Sequence, residues 1–383
     1  MDVTTLPRRI AGDGTGAQMT QRTWRVAIIG SGRMGGLIED ELPPRGFGMP
    51  YGHLSAYRAI PGCEVVAVAN RGEDRLKRFA ARFGIERTYL DYREMVERER
   101  PDIVSVTTPS FARAEPIIHC ATHGVPAIYA EKGLCGSLAE ADAIATAVRE
   151  NGVAFNWGAL RRHHDGYRQV REAIARGDIG EPRHATMWFF TDLIKHHPHT
   201  IDIVAMLLGD PAPSWVEGRL VAPDDARVAG RARPEPTYDP GTHRFVPPEG
   251  HEIADPHVDT FRVGYASGVE ATFLPFGRFE LDVVGTEGRA MAWENGGHFG
   301  VRRLIPKRGT VSETTFTPQG ESPTVCTIRD LINAVETGTP TQGNLDVTMP
   351  SVEVQFGVAH SHLEGGRRIS LPVVDRSLRI PGG

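Results

Sequence analysis

"WRVAIIGSGRMG", residues 24–35, decides how this chain is read. Its first half is a continuous apolar run of strand length. Its second half spaces three glycines as G-x-G-x-x-G and opens a predicted helix. In such a loop Gly30 permits a tight turn, Gly32 removes a side chain where a diphosphate approaches the backbone, and Gly35 lets the helix pack close to the strand. The free amides of a helix N-terminus favour the same anion. Plain glycine-rich turns share the spacing, so the specificity comes from context: a strand in front and another strand behind. Gly30, Ser31, Gly32, Arg33, Met34 and Gly35 are therefore expected cofactor contacts.

Working outward, apolar runs recur at "CEVVAVAN" (63–70), "DIVSVTTP" (102–109), "VPAIYAE" (125–131) and "VAFNWG" (153–158). Helical patterns separate them at 74–84, 112–124 and 138–152. Strands that are apolar throughout, alternating with helices, indicate a parallel sheet covered on both faces. Right-handed crossovers then make it doubly wound. After residue 158 the rhythm changes. A helix fits 165–176, a strand 183–191 and a helix 197–208. A Pro/Gly-rich polar segment at 222–256 is long for a loop inside a compact domain. Beyond it, "HVDTFRVGYASG", "VEATFLPF", "RFELDVVGTEG" and "RAMAWENGG" alternate with period two, as in an antiparallel sheet with one wet face. Helices at 323–337 and 347–364 close the pattern. The expected fold class is α/β: an N-terminal Rossmann doubly wound parallel sheet plus a C-terminal α+β domain with an open, mainly antiparallel sheet. Residues 1–22 read as a polar, mobile tail, 23–157 as the dinucleotide-binding domain and 158–383 as the substrate and oligomerisation domain.

The bulk properties agree. At 383 residues two domains are the default, and 40% hydrophobic with 24% charged residues is ordinary for a globular chain. A formal net charge of -5 leaves no electrostatic footprint for nucleic acid. No apolar run is long enough to cross a bilayer. Cys63, Cys120, Cys135 and Cys326 show no zinc or redox spacing, which predicts free thiols in a reducing cytoplasm. Residues 1–22 carry no apolar core of a signal peptide.

Two sites carry chemistry. Where the second strand of such a fold ordinarily ends in an acid that binds the adenosine ribose, this chain has Asn70-Arg71. A guanidinium pairs with a 2′-phosphate that an acid would repel, so NADP is favoured, with NAD the alternative. Thr108 and Pro109 fall at the same sheet edge as further cofactor contacts. "AIYAEK" brings Glu131 and Lys132 to that edge, where ligands of doubly wound sheets bind. A lysine there can exchange a proton with a substrate oxygen once desolvation and nearby positive charge lower its pKa. The bland alternative is a surface ion pair.

With "VAIIGSGRMG", "VTTPSFARAEPIIHCATHGVPAIYAEKGL", "IARGDIGEPRHA", "HTIDIVAMLLGD" and "AHSHLEGGRRISLP", the chain from residue 24 almost to its end resembles the glucose–fructose oxidoreductase/inositol dehydrogenase (Gfo/Idh/MocA) family. The resemblance implies nicotinamide-dependent chemistry on hydroxyl or keto carbons of sugars and cyclitols, and a homodimer or homotetramer. It implies catalysis by Lys132, and substrate-binding or acid/base work for His199 with Asp202 close by. Arg162, with Arg161 second to it, is expected either to touch substrate or cofactor amide or to brace the domain interface. Two departures stand out. Gly133 replaces the family's proline, and Lys195 occupies the position where many polyol dehydrogenases of the family have an aspartate. If Lys195 and His199 share the first turns of one helix, a second ammonium faces Lys132 and one of the two lysines titrates low. Lys195 would then act on Lys132 or bind an anionic group. His196, His197 and His199 lack a metal-ligand spacing, and a hydrogen-bonding wall for a polar substrate, with His196 in it, is the preferred reading. No metal is expected.

The functional expectation is an NAD(P)-dependent oxidoreductase for a polyhydroxylated, sugar-, cyclitol- or sugar-acid-like substrate. Its alternatives are a redox-neutral enzyme of the glycosidase or epimerase type and a cofactor-binding regulator without catalysis. The Pro/Gly-rich insertion at 39–57 is either a tolerated surface insertion or a border of the substrate pocket.

Overall fold

The computed structural model describes residues 22–42, 48–222, 225–228, 237–239, 244–246, 255–305, 307, 309–380 and 382. The expected tail at 1–22, apart from its last residue, and most of the 222–256 segment lie outside them, as do residues 43–47 of the insertion.

The first sheet is six-stranded in the order β3-β2-β1-β4-β5-β6, with every pair parallel. Its strands are β1 (Trp24–Ile29), β2 (Cys63–Ala69), β3 (Thr88–Tyr89), β4 (Ile103–Val106), β5 (Ala127–Ala130) and β6 (Ala154–Trp157). Strand order reverses between β1 and β4, and there the loops after the two strands diverge and leave a crevice. The apolar runs follow from cover on both faces: all four residues of β5 are fully buried. One face carries α1 (His53–Arg58) and the other α3 (Tyr92–Glu99), α4 (Ala114–Thr122) and α5 (Leu138–Glu150), while α2 (Glu73–Phe83) joins β2 to β3. Ser137 caps α5 by accepting from the Glu140 amide, and α2 stops at left-handed Gly84.

The second sheet is nine-stranded, in the order β16-β15-β14-β13-β7-β12-β11-β8-β17. It is built from β7 (Pro182–Phe189), β8 (Pro213–Leu220), β11 (Val258–Tyr265), β12 (Glu270–Leu274), β13 (Arg278–Gly285), β14 (Gly288–Trp293), β15 (His298–Ile305), β16 (Thr310–Phe316) and β17 (Ile369–Ser370). Only β7 and β12 pair in parallel; the remaining pairs are antiparallel, as expected. A small separate hairpin, β9 (Thr237–Asp239) with β10 (Arg244–Val246), falls within 222–256. Ala185 and Met187 of β7 are buried on the inner face, where α7 (His197–Leu207) packs on β7 and β13 and α6 (Asp165–Ala175) on β14 and β15.

Three features depart from the sequence reading. The glycine loop opens only a five-residue helical turn, Arg33–Leu37, followed by a single turn at Ile38–Asp40, because the insertion interrupts the helix that resumes as α1. Strands β3, β8, β15 and β16 and helix α3 were not expected. And α8 (Pro323–Thr337), although far along the chain, packs Val325, Ile328 and Leu331 against Trp24, Val26 and Ala127 of the first sheet. The last helix, α9 (Leu345–Leu363), lies against β8 and α7. The C-terminal segment then returns across α5: Ile380 donates to the Gly136 carbonyl at 2.8 Å and Arg379 pairs with Glu140 at 2.8 Å.

Candidate active site

The crevice begins at the glycine loop. Gly30 has φ +109°, and a Cβ on it would lie 2.6 Å from Thr107 Oγ1, so no side chain fits. A Cβ on Gly35 would collide with the Gly30 carbonyl oxygen, whereas one on Gly32 would meet nothing within 4 Å. That open face is where a diphosphate needs room. Ser31 Oγ is fully buried and has no hydrogen-bond partner among the described residues. These residues fit a dinucleotide: a bare backbone approach flanked by an unsatisfied hydroxyl. Asn70 closes the loop from β2, accepting from the Ser31 amide at 3.4 Å and donating to the Gly72 carbonyl at 3.0 Å. Arg71 is exposed and 3.9 Å from Glu115. Arg33 pairs with Glu41 at 2.6 Å, and Met34 is half-buried in the turn. Thr108 donates to the Ala112 carbonyl at 3.1 Å, and Pro109 caps the turn Ser110–Ala112.

β5 delivers Glu131 and Lys132 beside this crevice. Glu131 is buried; Lys132 is half-buried, and its ammonium donates to the Lys195 carbonyl at 3.0 Å. Burial pushes the Lys132 pKa down to about 8; the Glu131 charge opposes this, while Arg113, Lys195 and Arg33 add to it. Arg113, buried ahead of α4, donates to the carbonyls of Glu131 (2.8 Å), Gly133 and Thr108, and so ties the backbone around the lysine together. The Lys132–Gly133 peptide is cis.

The opposing wall comes from the segment that leads into α7. Its turn, residues 193–196, is held by Asp255, whose carboxylate accepts from the amides of Ile194 at 2.9 Å and Lys195 at 2.6 Å. Burial raises the Asp255 pKa to about 7, Asp192 adds to the rise, and those two amides oppose it. Asp192 accepts from His196 at 3.1 Å and pairs with His257 at 3.0 Å. Helix α7 begins at His197, with Pro198 in its first turn. Lys195 therefore precedes the helix, and the same-face pairing with His199 does not arise. The Lys195 ammonium has no ion-pair or hydrogen-bond partner among the described residues, yet its charge reaches both Lys132 and His196. His199 is buried with Nδ1 unpartnered among the described residues; burial, Arg161, Lys132 and His196 hold it far below its ordinary pKa, hence neutral.

Other expected residues lie elsewhere. His197 turns into the core, bonding Thr200 at 2.8 Å and packing edge-on against Phe261. Arg162 and Asp202 are joined to each other: Arg162 bonds Asp202 and Asp210, each at 2.6 Å, in the interior of the second half. Its neighbour Arg161 is the one whose charge reaches His199, and it donates to Asn295 at 2.6 Å over the ring of Phe279. The described part of the insertion does border the site, since Tyr51 feels the charges of Arg161, Glu131 and Arg33, and burial raises its phenol pKa. His53, Arg113, Asp192 and Asp255 were missed. Only the Asp192–His196 spacing offered a signal. Among the described residues no group of three or more His, Cys, Asp or Glu side chains is arranged to hold a metal, and no helix is long and apolar enough to cross a membrane.

A parallel sheet with this strand order and this glycine loop defines a dinucleotide-binding α/β protein. Comparison narrows the class: residues 24–159 match the Gfo/Idh/MocA model, described as an oxidoreductase family with an NAD-binding Rossmann fold. The chain is 31% identical over 159 residues to scyllo-inositol 2-dehydrogenase (NAD(+)) of Bacillus subtilis, an alignment covering 41% of this chain and 42% of that protein. It is 30% identical over 198 residues to D-apiose dehydrogenase of Paraburkholderia graminis, covering 46% and 52%. The matches thus span about half the length of these relatives or less. The fold as a whole is that of an NAD-binding oxidoreductase from Klebsiella pneumoniae, with a TM-score of 0.71, 20% identity, and 92% and 100% of the two chains covered.

Proposed function

We propose that this protein is an NAD(P)-dependent oxidoreductase acting on a hydroxyl or keto carbon of a sugar-, cyclitol- or sugar-acid-like substrate. The carrying observation is Lys132: half-buried at the carboxyl end of β5, beside the glycine loop, with its pKa down to about 8. The nicotinamide, when bound, supplies the hydride chemistry. Neutral Lys132 takes the proton from a substrate hydroxyl, and its ammonium returns one to a carbonyl oxygen in the reverse direction. His199, held neutral, hydrogen-bonds the same substrate. The Lys195 ammonium, without a partner among the described residues, favours a substrate with a carboxylate or phosphate. Exposed Arg71, loosely paired at 3.9 Å, favours NADP. The relatives named inositol and apiose dehydrogenases support the substrate class. A homodimer or homotetramer in the cytoplasm belongs to the same reading, its contact the outer face of the second sheet where Trp188 and Leu274 are cross-strand neighbours; a monomer by light scattering removes that part.

The test is a fluorescence titration with NADPH and NADH, followed by turnover on a panel of sugars, cyclitols and sugar acids read at the nicotinamide absorbance. Lys132→Met should bind cofactor as the parent does and lose roughly 100- to 10,000-fold in kcat, the usual worth of a positioned acid/base. Undiminished turnover removes Lys132 from the mechanism. Product formed without an absorbance change transfers the protein to redox-neutral chemistry.

A further inference from the structure

Behind the catalytic face runs a buried chain of polar groups that the reaction itself does not use. His53 Nε2 lies 3.1 Å from Glu131 Oε1, and His53 Nδ1 lies 2.8 Å from Ser105 Oγ. Ser105 Oγ is in turn 2.8 Å from the Tyr57 hydroxyl. His53, Ser105 and Tyr57 are fully buried and Glu131 is 2% exposed. One proton arrangement satisfies every member: Tyr57 donates to Ser105, Ser105 donates to His53 Nδ1, and His53 Nε2–H donates to the carboxylate. The imidazole is further fixed by stacking on Tyr129, with ring centroids 4.1 Å apart. The other carboxylate oxygen accepts from the Lys132 amide at 3.1 Å.

We propose that His53, oriented by Ser105 and Tyr57, is a positioning residue that keeps Glu131 ionised beside Lys132 and thereby sets the proton affinity of the catalytic lysine. A carboxylate this deep would otherwise neutralise. Burial does push Glu131 upward, but the His53 hydrogen bond and the charges of Lys132 and Arg113 outweigh it and leave the pKa below its ordinary value. Among the described residues the charged groups facing Lys132 are Glu131 from β5, Arg113 from the α4 lead-in, Lys195 from the α7 lead-in and Arg33 from the glycine loop. Neutral His196 and His199 face it as well. Glu131 is the only anion of the four charges, so its ionisation decides whether Lys132 titrates near its present value or well below it. The inference rests on the acid/base role of Lys132, and its test is arranged to separate the two.

The chain has four lysines, Lys77, Lys132, Lys195 and Lys307, so the pKa of each amine is readable by competitive acetylation across pH with peptide mass spectrometry. Removing the donor in His53→Leu should lower the Lys132 titration by about one pH unit or more, the size of a lost opposite charge at close range. His53→Gln, whose amide still donates to the carboxylate, should restore it. Glu131→Gln should reproduce the shift, and combining it with His53→Leu should add nothing. If His53→Leu does not fold, Ser105→Ala reads the same relay, with a smaller shift in the same direction. A Lys132 titration unmoved in His53→Leu, or in Ser105→Ala where only that variant folds, overturns the proposal. The rising limb of the kcat–pH profile for oxidation should follow the amine. If the amine moves and the limb does not, the relay stands and the catalytic role of Lys132 falls.

Discussion

Burial first, and then the charges of its neighbours, set the proton affinity of Lys132, and Lys195 is one of those neighbours. Lys195 depresses Lys132, and its ammonium has no ion-pair or hydrogen-bond partner among the described residues. In Lys195→Met, Lys132 should titrate higher by a few tenths to about one unit, the sign expected when a like charge is removed. The rising limb of the oxidation profile then moves to higher pH. The KM for a carboxylated substrate should rise about tenfold, equivalent to about 1.4 kcal/mol, with a smaller change for a neutral polyol. Equal effects on both substrates would dissociate Lys195 from anion recognition. At this scale the nearness of Lys132 to His199 was legible because each sits in a motif with a fixed place in the fold. His53 was not, because a single histidine beyond an insertion has no spacing to mark it. For Arg162 the sequence left two roles open, substrate contact or a structural brace, and Asp202 was placed near the substrate, because sequence shows a charge but never its partner, here Asp210.

The element that decides the site is the turn before α7. A Cβ on Gly133 would lie 2.6 Å from the Ile194 carbonyl oxygen and 2.7 Å from its Cγ2. The glycine that departs from the family's proline is therefore the residue that lets this turn press against the lysine, while Asp255 holds the turn from behind. Gly133→Ala should force Ile194 and the Lys195 carbonyl away from Lys132. We expect a loss of about 1–3 kcal/mol in stability by denaturant unfolding, as for other overpacked positions, together with a clear fall in kcat. Unchanged stability and kcat would mean that the turn yields freely. Elements with strong periodicity, such as α5 and α8, were read nearly to the residue. The polar edge strand β16, which partly buries only Phe316, and the highly charged α3, which buries Tyr92, Met95 and Val96 among arginines and glutamates, gave too little pattern to read.

Over the whole molecule, the C-terminal segment binds the two sheets together, pairing with β8 through Ile369–Ser370 and with Gly136 and Glu140 through Ile380 and Arg379, while α8 packs on the first sheet. A boundary near residue 157, read from a change of rhythm, follows the chain but not the packing of α8. Arg162, just past that point, holds Asp202 and Asp210 at once. Arg162→Met leaves Asp202 buried without its cation, and loss of one partner of a buried pair costs about 3–5 kcal/mol. Denaturant unfolding should show that loss while NADPH affinity stays unchanged. Intact stability with a raised substrate KM would instead return Arg162 to the binding site.

The sequence by itself determined the parallel sheet, the glycine loop and the placement of Glu131 and Lys132 at its edge, because hydrophobic period and glycine spacing are local and each has one satisfactory solution. Only the tertiary structure decided which polar groups meet: Lys132 with the Lys195 carbonyl, Glu131 with His53, Arg162 with Asp202 and Asp210. Those pairings join residues distant along the chain, and at that range electrostatics depends on the fold rather than on sequence spacing.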